Sequence, residues 1–197
     1  MSVLCKAAEE GSISRCRQLL AAGSDVEEKD EDGWTPLLNA AYFGHTEVCE
    51  LLLEKGKANI EEIDDDGDTA LKLAANNGDA STVALLLSKG ARVDTRNKNG
   101  FTPLLAAATG GHTEVCKLLL ETGKANVKET TPDGFTPLLL AADEGHTEVC
   151  ELLLENGSDL EESEPNKQDT ALHSAANYGH ESLLQLLLSD KYSANLN

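Results

Sequence analysis

The residue types best suited to chemistry recur at regular spacing. His-x-x-x-Cys occurs three times, as His45/Cys49, His112/Cys116 and His146/Cys150. An imidazole and a thiol four residues apart share a helix face and could offer two ligands to zinc. Each pair stops at two ligands, and Asp79 and Val83 interrupt the series. The thiols read better as one column: Cys16, Cys49, Cys116 and Cys150 alternate with Val83 and Leu184. Interchange with Val and Leu marks a small apolar core position. Stacked helices lie about 10 Å apart, and a disulfide needs Cα atoms within about 7 Å. Free thiols and a reducing compartment are therefore expected.

Two other segments invite a chemical reading. Asp64-Asp65-Asp66-Gly67-Asp68 resembles a calcium loop. In an EF-hand frame starting at Glu62 the Gly is in place, but position twelve is Leu73 where a bidentate Glu is needed. Gly123-Lys124 resembles the end of a phosphate-binding loop, yet that motif's first Gly would fall at Leu118. No nucleophile is paired with a base. We expect no catalytic residue, no metal site and no cofactor.

The elements that carry these residues are repeats. Gly-Trp-Thr-Pro-Leu (33–37), Gly-Asp-Thr-Ala-Leu (67–71), Gly-Phe-Thr-Pro-Leu (100–104 and 134–138) and Gln-Asp-Thr-Ala-Leu (168–172) recur. Their threonines, at 35, 69, 102, 136 and 170, are separated by 34, 33, 34 and 34 residues. Ala follows each Thr at Ala41, Ala75, Ala108, Ala142 and Ala176. Gly follows at Gly44, Gly78, Gly111, Gly145 and Gly179. Ser2, Ala8 and Gly11 fit the same columns, so six repeats fill the chain.

The pattern resembles the ankyrin repeat family. Thr102-Pro103-Leu104, Ala107-Ala108, Gly111-His112 and Leu118-Leu119-Leu120 carry the likeness in one copy. The resemblance implies an all-α solenoid of helix-turn-helix repeats joined by short β-hairpin loops. The boundaries would fall at about 1–29, 30–63, 64–96, 97–130, 131–163 and 164–197. The His of the family's Thr-Pro-Leu-His survives only as His173; Leu38, Lys72, Leu105 and Leu139 replace it. An extra residue near Glu164-Pro165-Asn166 predicts an irregular loop.

Local chemistry supports the same elements. Thr accepts an orphan N–H at a helix start, and Pro in the first position has none to lose. Gly44 and its equivalents suit a left-handed helix end. Gly56, Gly90, Gly123 and Gly157 are expected to end the second helices. One such unit cannot bury its apolar face alone, whereas a stack can.

Composition bounds the function. The 197 residues hold 16 Lys+Arg against 35 Asp+Glu, a net charge of −19. That excess disfavours nucleic acid and anionic membranes. No apolar run is long enough to span a bilayer, and the start lacks a secretory pattern. A cytoplasmic or nuclear location is expected.

In the resembled family, recognition falls on hairpins and on the inner face of the first helices. The corresponding positions here are Glu31, Asp32, Trp34, Tyr42, Phe43, Asp65, Asp66, Asp68, Asn76, Asn77, Arg96, Lys98, Phe101, Phe135, Asp143, Glu144 and Tyr178. Six of the seven aromatic residues stand among them; Tyr192 does not. Aromatic side chains outside an aliphatic core read as a binding surface. Acids dominate residues 25–32 and 61–68, while Arg92, Arg96 and Lys98 reverse the sign. The expected function is a non-catalytic module for a protein partner with a basic segment. The alternative is a regulatory or sensory segment of a larger enzyme or channel.

The chain ends differ. Arg15, Arg17 and Gln18 make the first repeat's outer helix polar, whereas Glu181–Leu188 is as apolar as an internal helix. Ser193–Asn197 resembles Lys57–Glu61, so continuation or cover is expected at this end. If the chain stops there, an otherwise monomeric protein would use Leu184 and Leu187 for a contact.

Overall fold

Thr35, Thr69, Thr102 and Thr136 each start a helix by the same device. Their Oγ1 atoms accept from the backbone N–H three residues on, at Leu38, Lys72, Leu105 and Leu139. In the computed structural model, which describes residues 2–163 and 169–193, these caps open the first helix of successive pairs. The pairs are α1 (Val3–Glu9) with α2 (Ile13–Ala21), α3 (Pro36–Tyr42) with α4 (Thr46–Leu51), and α5 (Ala70–Asn76) with α6 (Ala80–Ser88). They continue with α7 (Pro103–Thr109) and α8 (Thr113–Glu121), α9 (Pro137–Asp143) and α10 (Thr147–Glu155), and α11 (Ala171–Tyr178) and α12 (Glu181–Leu187). A last turn, α13, spans Asp190–Ser193.

Odd-numbered helices α1 to α11 pack in one row and even-numbered helices α2 to α12 in another. The result is an all-α solenoid. Its core is one continuous cluster of Leu, Ala, Val and Cys running from Leu4 to Leu187. In the small Ala column, Ala8, Ala41, Ala75, Ala108 and Ala142 are wholly buried, while Ala176 in the last pair is exposed. Close approach of the first helices depends on the buried alanines.

The loops are turns rather than paired strands. Among the described residues only two isolated bridges occur, Ile63 with Thr69 and Ser163 with Thr170. Each turn is closed by two backbone bonds: the N–H of Asp30, Asp64, Asn97 and Thr131 donates to the carbonyl of Trp34, Asp68, Phe101 and Phe135, and the carbonyl of the same first residue accepts from Gly33, Gly67, Gly100 and Gly134. The side chain of the first residue takes the remaining donors. Asp30 Oδ1 accepts from the N–H groups of Asp32 and Trp34; Asp64 and Asn97 repeat this arrangement. Much of the turn backbone is thus satisfied from within the turn, and one backbone bond, from Lys98 N–H to the Asp66 carbonyl, joins neighbouring turns. The irregular loop expected at Glu164–Asn166 lies outside the described residues.

The second helices end in two ways. Gly23, Gly90 and Gly157, after α2, α6 and α10, are left-handed, with φ of 84°, 87° and 99°. In the repeats of α4 and α8 the left-handed residues are Lys57 and Lys124, with φ of 63° and 60°. Gly56 and Gly123 therefore do not end their helices through backbone freedom. They are small because a Cβ at Gly56 would lie 2.9 Å from Val26 Cγ2, and one at Gly123 2.6 Å from Val93 Cγ1. The extra residue in these repeats widens the end of α4 into a π-helical turn, Leu52–Gly56.

The two ends of the stack differ in cover. In α2 only Cys16 is buried. In α12, Leu183 and Leu187 are buried, so Leu187 is unavailable for an external contact and that expectation is corrected. Leu184 is half-buried, and Leu188 is 57% exposed. Tyr192 in α13 folds onto the core, and Lys191 reaches back to Glu151 and Glu155. Of the segment 193–197 that resembles 57–61, Ser193 ends α13 and residues 194–197 lie outside the described part.

Candidate functional site

The His-x-x-x-Cys motifs split into two structural roles. The thiols of Cys49, Cys116 and Cys150 point into the core, and burial pushes each up to about 12. The imidazoles turn towards the preceding pair. Nε2 of His45, His112, His146 and His180 meets the carbonyls of Glu9, Asn76, Thr109 and Asp143 at 2.8 to 3.0 Å. Among the described residues no group of three or more His, Cys, Asp or Glu is placed to hold a metal ion.

The former Thr-Pro-Leu-His column is mixed in chemistry. His173 Nδ1 lies 3.2 Å from the backbone N of Thr170 and 3.0 Å from its Oγ1, closing a capping box. Leu38, Leu105 and Leu139 are buried apolar replacements. Cys5 occupies the same column, and its single S–H is within reach of the carbonyls of Glu28, at 3.1 Å, and Trp34, at 3.4 Å.

The positions expected to bind a partner lie on the turns and at the carboxyl ends of the first helices. Trp34, at the end of its turn, is half-buried; Tyr42 and Phe43, at the end of α3, are exposed. These three rings come together. Trp34 and Tyr42 meet edge to face at 4.9 Å, and Tyr42 and Phe43 at 5.0 Å. With Glu9, Asp30 and Asp32 they enclose a cavity of about 310 Å³.

Along the neighbouring turns, Asp65 and Asp66 are exposed, as is Glu31. Asn77 donates to the carbonyl of Tyr42 across the helix row, and the Asn76 carbonyl accepts from His112. Phe101 and Phe135 are half-buried at equivalent turn ends. Glu144 is exposed, Asp143 is half-buried, and Tyr178 stands 65% exposed beside His180.

The side chains of two expected site residues have other work. Asp68 is 8% exposed and pairs with Lys72 Nζ at 2.7 Å, so it is a buried ion pair and not an open recognition group. Arg96 Nη1 donates to the carbonyls of Gly100 and Thr130, clipping two turns together. The backbone N–H of Lys98 donates to the carbonyl of Asp66. Arg92, the third cation of that segment, pairs with Asp94. Arg92 and Arg96 are thus engaged within the fold, while Lys98 is held through its backbone and keeps an exposed side chain.

Two contributors escaped the sequence reading. Glu9 ends α1, far along the chain from Trp34, and only stacking brings it to the rings. Asp30, Asp64, Asn97 and Thr131 form the column that holds the turns. Its signal was visible: each stands three residues before a turn Gly.

No helix among the described residues is long and apolar enough to cross a membrane.

Comparison with known proteins agrees with this geometry. A family model described as ankyrin repeats matches three times, over residues 4–97, 73–164 and 125–197. The chain is 46% identical over 48 residues to protein phosphatase 1 regulatory subunit 12A of Mus musculus, covering 24% of this chain and 5% of that protein. The Rattus norvegicus protein of the same name gives the same figures. A 2-5A-dependent ribonuclease of Mus musculus is 43% identical over 56 residues, 28% of this chain and 8% of that protein. The chain thus matches less than a tenth of the length of each of these relatives. With the family model matched along nearly its whole length and the paired helices in register, the chain belongs to the ankyrin repeat family.

Proposed function

We propose that this protein is a non-catalytic binding module whose acidic turns and inner helix ends receive a basic segment of a partner protein. One observation carries the reading: Asp32, Asp65 and Asp66 are exposed, and no Lys or Arg among the described residues pairs with them. Uncompensated like charges on adjacent turns repel each other, and a cationic partner relieves that repulsion. The turns are ordered by their own side-chain bonds. The partner therefore meets a surface arranged beforehand, at reduced entropic cost.

The partner-binding set on this reading is Glu31, Asp32, Trp34, Tyr42, Phe43, Asp65, Asp66, Asn76, Asn77, Phe101, Phe135, Asp143, Glu144 and Tyr178. Arg96 and Lys98 contribute at its edge. A cytoplasmic or nuclear setting suits five unpaired buried thiols. A peptide library with random composition, selected on the immobilised protein, tests the reading. Basic peptides should be enriched, and enrichment should vanish when Asp32, Asp65 and Asp66 are changed to Lys. Enrichment with no charge bias would contradict it.

The likeness to a phosphatase regulatory subunit and to a ribonuclease favours a second arrangement of the same surface. In it, the stack is a regulatory segment acting on an enzyme, in the same chain or another. The acidic face would then meet a basic segment of that enzyme.

A further inference from the structure

The cavity beside α3 combines two features that seldom coincide. It is lined by Trp34, Tyr42 and Phe43, by Asn39, and by the acids Glu9, Asp30 and Asp32. Tyr42 is 38% exposed and Phe43 48%, so ring surface is open to an incoming group. Among the described residues no Lys or Arg pairs with any of the three acids. The nearby Lys29 is turned away, its Nζ on the carbonyl of Ile63 and on Glu62.

We infer, resting on the basic-partner reading above, that this pocket takes the guanidinium of one arginine side chain of the partner. An aromatic face carries negative quadrupole potential, so exposed ring surface favours a cation over a neutral group. The rim adds three carboxylates, which exclude a phosphorylated ligand by repulsion.

The hydrogen-bonding capacity of the rim selects among cations. Asp30 is committed: Oδ1 accepts from Asp32 and Trp34, and Oδ2 accepts from Asn39 Nδ2 at 2.8 Å. It supplies charge and holds Trp34 in place. The carboxylates of Glu9 and Asp32 make no hydrogen bond or ion pair to a described residue and remain able to accept. A quaternary ammonium has no N–H to offer them. A lysine ammonium is compact and strongly hydrated, and leaves the ring faces poorly covered. A guanidinium is flat enough to lie on a ring and carries five donors in its plane.

Trp34 is the only tryptophan of the chain, so emission excited at the red edge, where tyrosine does not absorb, reports this pocket alone. The probes are acetyl-Gly-Arg-Gly-amide and its citrulline, lysine and trimethyl-lysine counterparts, titrated into the whole protein to tens of millimolar. The arginine peptide should change the emission saturably. Citrulline, which keeps the shape and loses the charge, should bind about tenfold more weakly. Phe43→Leu, which keeps an apolar side chain but removes a ring face, and Asp32→Asn should each weaken arginine several-fold with helical circular dichroism unchanged. Equal binding of citrulline, no saturable response to arginine, or tighter binding of trimethyl-lysine would overturn the inference. Salt-sensitive binding of an oligo-lysine peptide, followed by calorimetry on the same sample, separates the two levels. If it persists without an arginine response, the pocket assignment fails alone; if both are absent, the basic-partner reading fails too.

Discussion

His146 Nε2 lies 2.9 Å from the carbonyl oxygen of Thr109, one helix pair back along the stack. The same ring occupies the space that a side chain at Gly111 would need, since a Cβ there would sit 2.5 Å from His146 Nδ1. Gly111 is also left-handed, with φ of 73°. One column thus ends a helix, and the next pair's imidazole closes over it.

Gly111→Ala should combine a left-handed penalty of about 1–2 kcal/mol with overpacking against the ring. His146→Ala alone should cost about 1 kcal/mol for the lost hydrogen bond. The double variant should be more stable than the sum of the two losses implies, because removing the ring relieves the clash. Urea unfolding of all four proteins gives the coupling; strict additivity would show that the ring and the glycine do not meet.

Lys57→Gly and Lys124→Gly should each stabilise the protein by up to about 1 kcal/mol, as the left-handed backbone is relieved and only chain entropy is lost. Gly56→Ala should do the reverse, by crowding Val26 and Leu20. Thermal unfolding of the three variants checks the assignment. A destabilised Lys57→Gly would mean that the lysine side chain itself holds the turn.

That contrast marks the limit of the sequence. The Thr column, the Ala column and the helix pairs could be read from spacing, because each rests on local chemistry within one repeat. The steps of 34 and 33 residues even revealed that some repeats carry one residue more. They did not show that Lys57 takes the left-handed position, since Gly56 is needed small for a contact with the preceding repeat. Asp68 was misread for a similar reason. Its run of acids looks solvated, yet Lys72, one helical turn on, draws it under cover. Glu9 could not be assigned to the aromatic pocket before α1 was stacked on α3.

Asp68 and Lys72 make a third test. Lys72→Met should destabilise by about 3 kcal/mol, because it leaves a buried carboxylate unpaired. Asp68→Asn with Lys72→Met should recover a large part of that loss. Chemical denaturation measures both, and an innocuous Lys72→Met would show that the carboxylate finds solvent.

The buried thiols predict an alkaline limit. Burial disfavours the thiolate and pushes Cys49, Cys116 and Cys150 from 9.0 up to about 12 in the folded chain. Between these values the native state holds more protons than the unfolded chain. Their contribution is therefore intact below pH 9 and is lost as pH rises towards 12. Replacing the three by Val, the residue already present at position 83 in this column, should flatten the fall of stability above pH 9. The same thiols should resist maleimide in the native protein and react once it unfolds.

The acidic face is tested most directly by association kinetics. The probe is the most enriched basic peptide from the library selection, with its association rate measured over a range of salt concentrations. For the natural sequence the rate should be high at low salt and fall steeply as salt is added. For the variant carrying Lys at positions 32, 65 and 66 it should be slower, with a flattened slope and unchanged helical content. Equal rates and equal salt slopes for the two proteins would contradict recognition by this face.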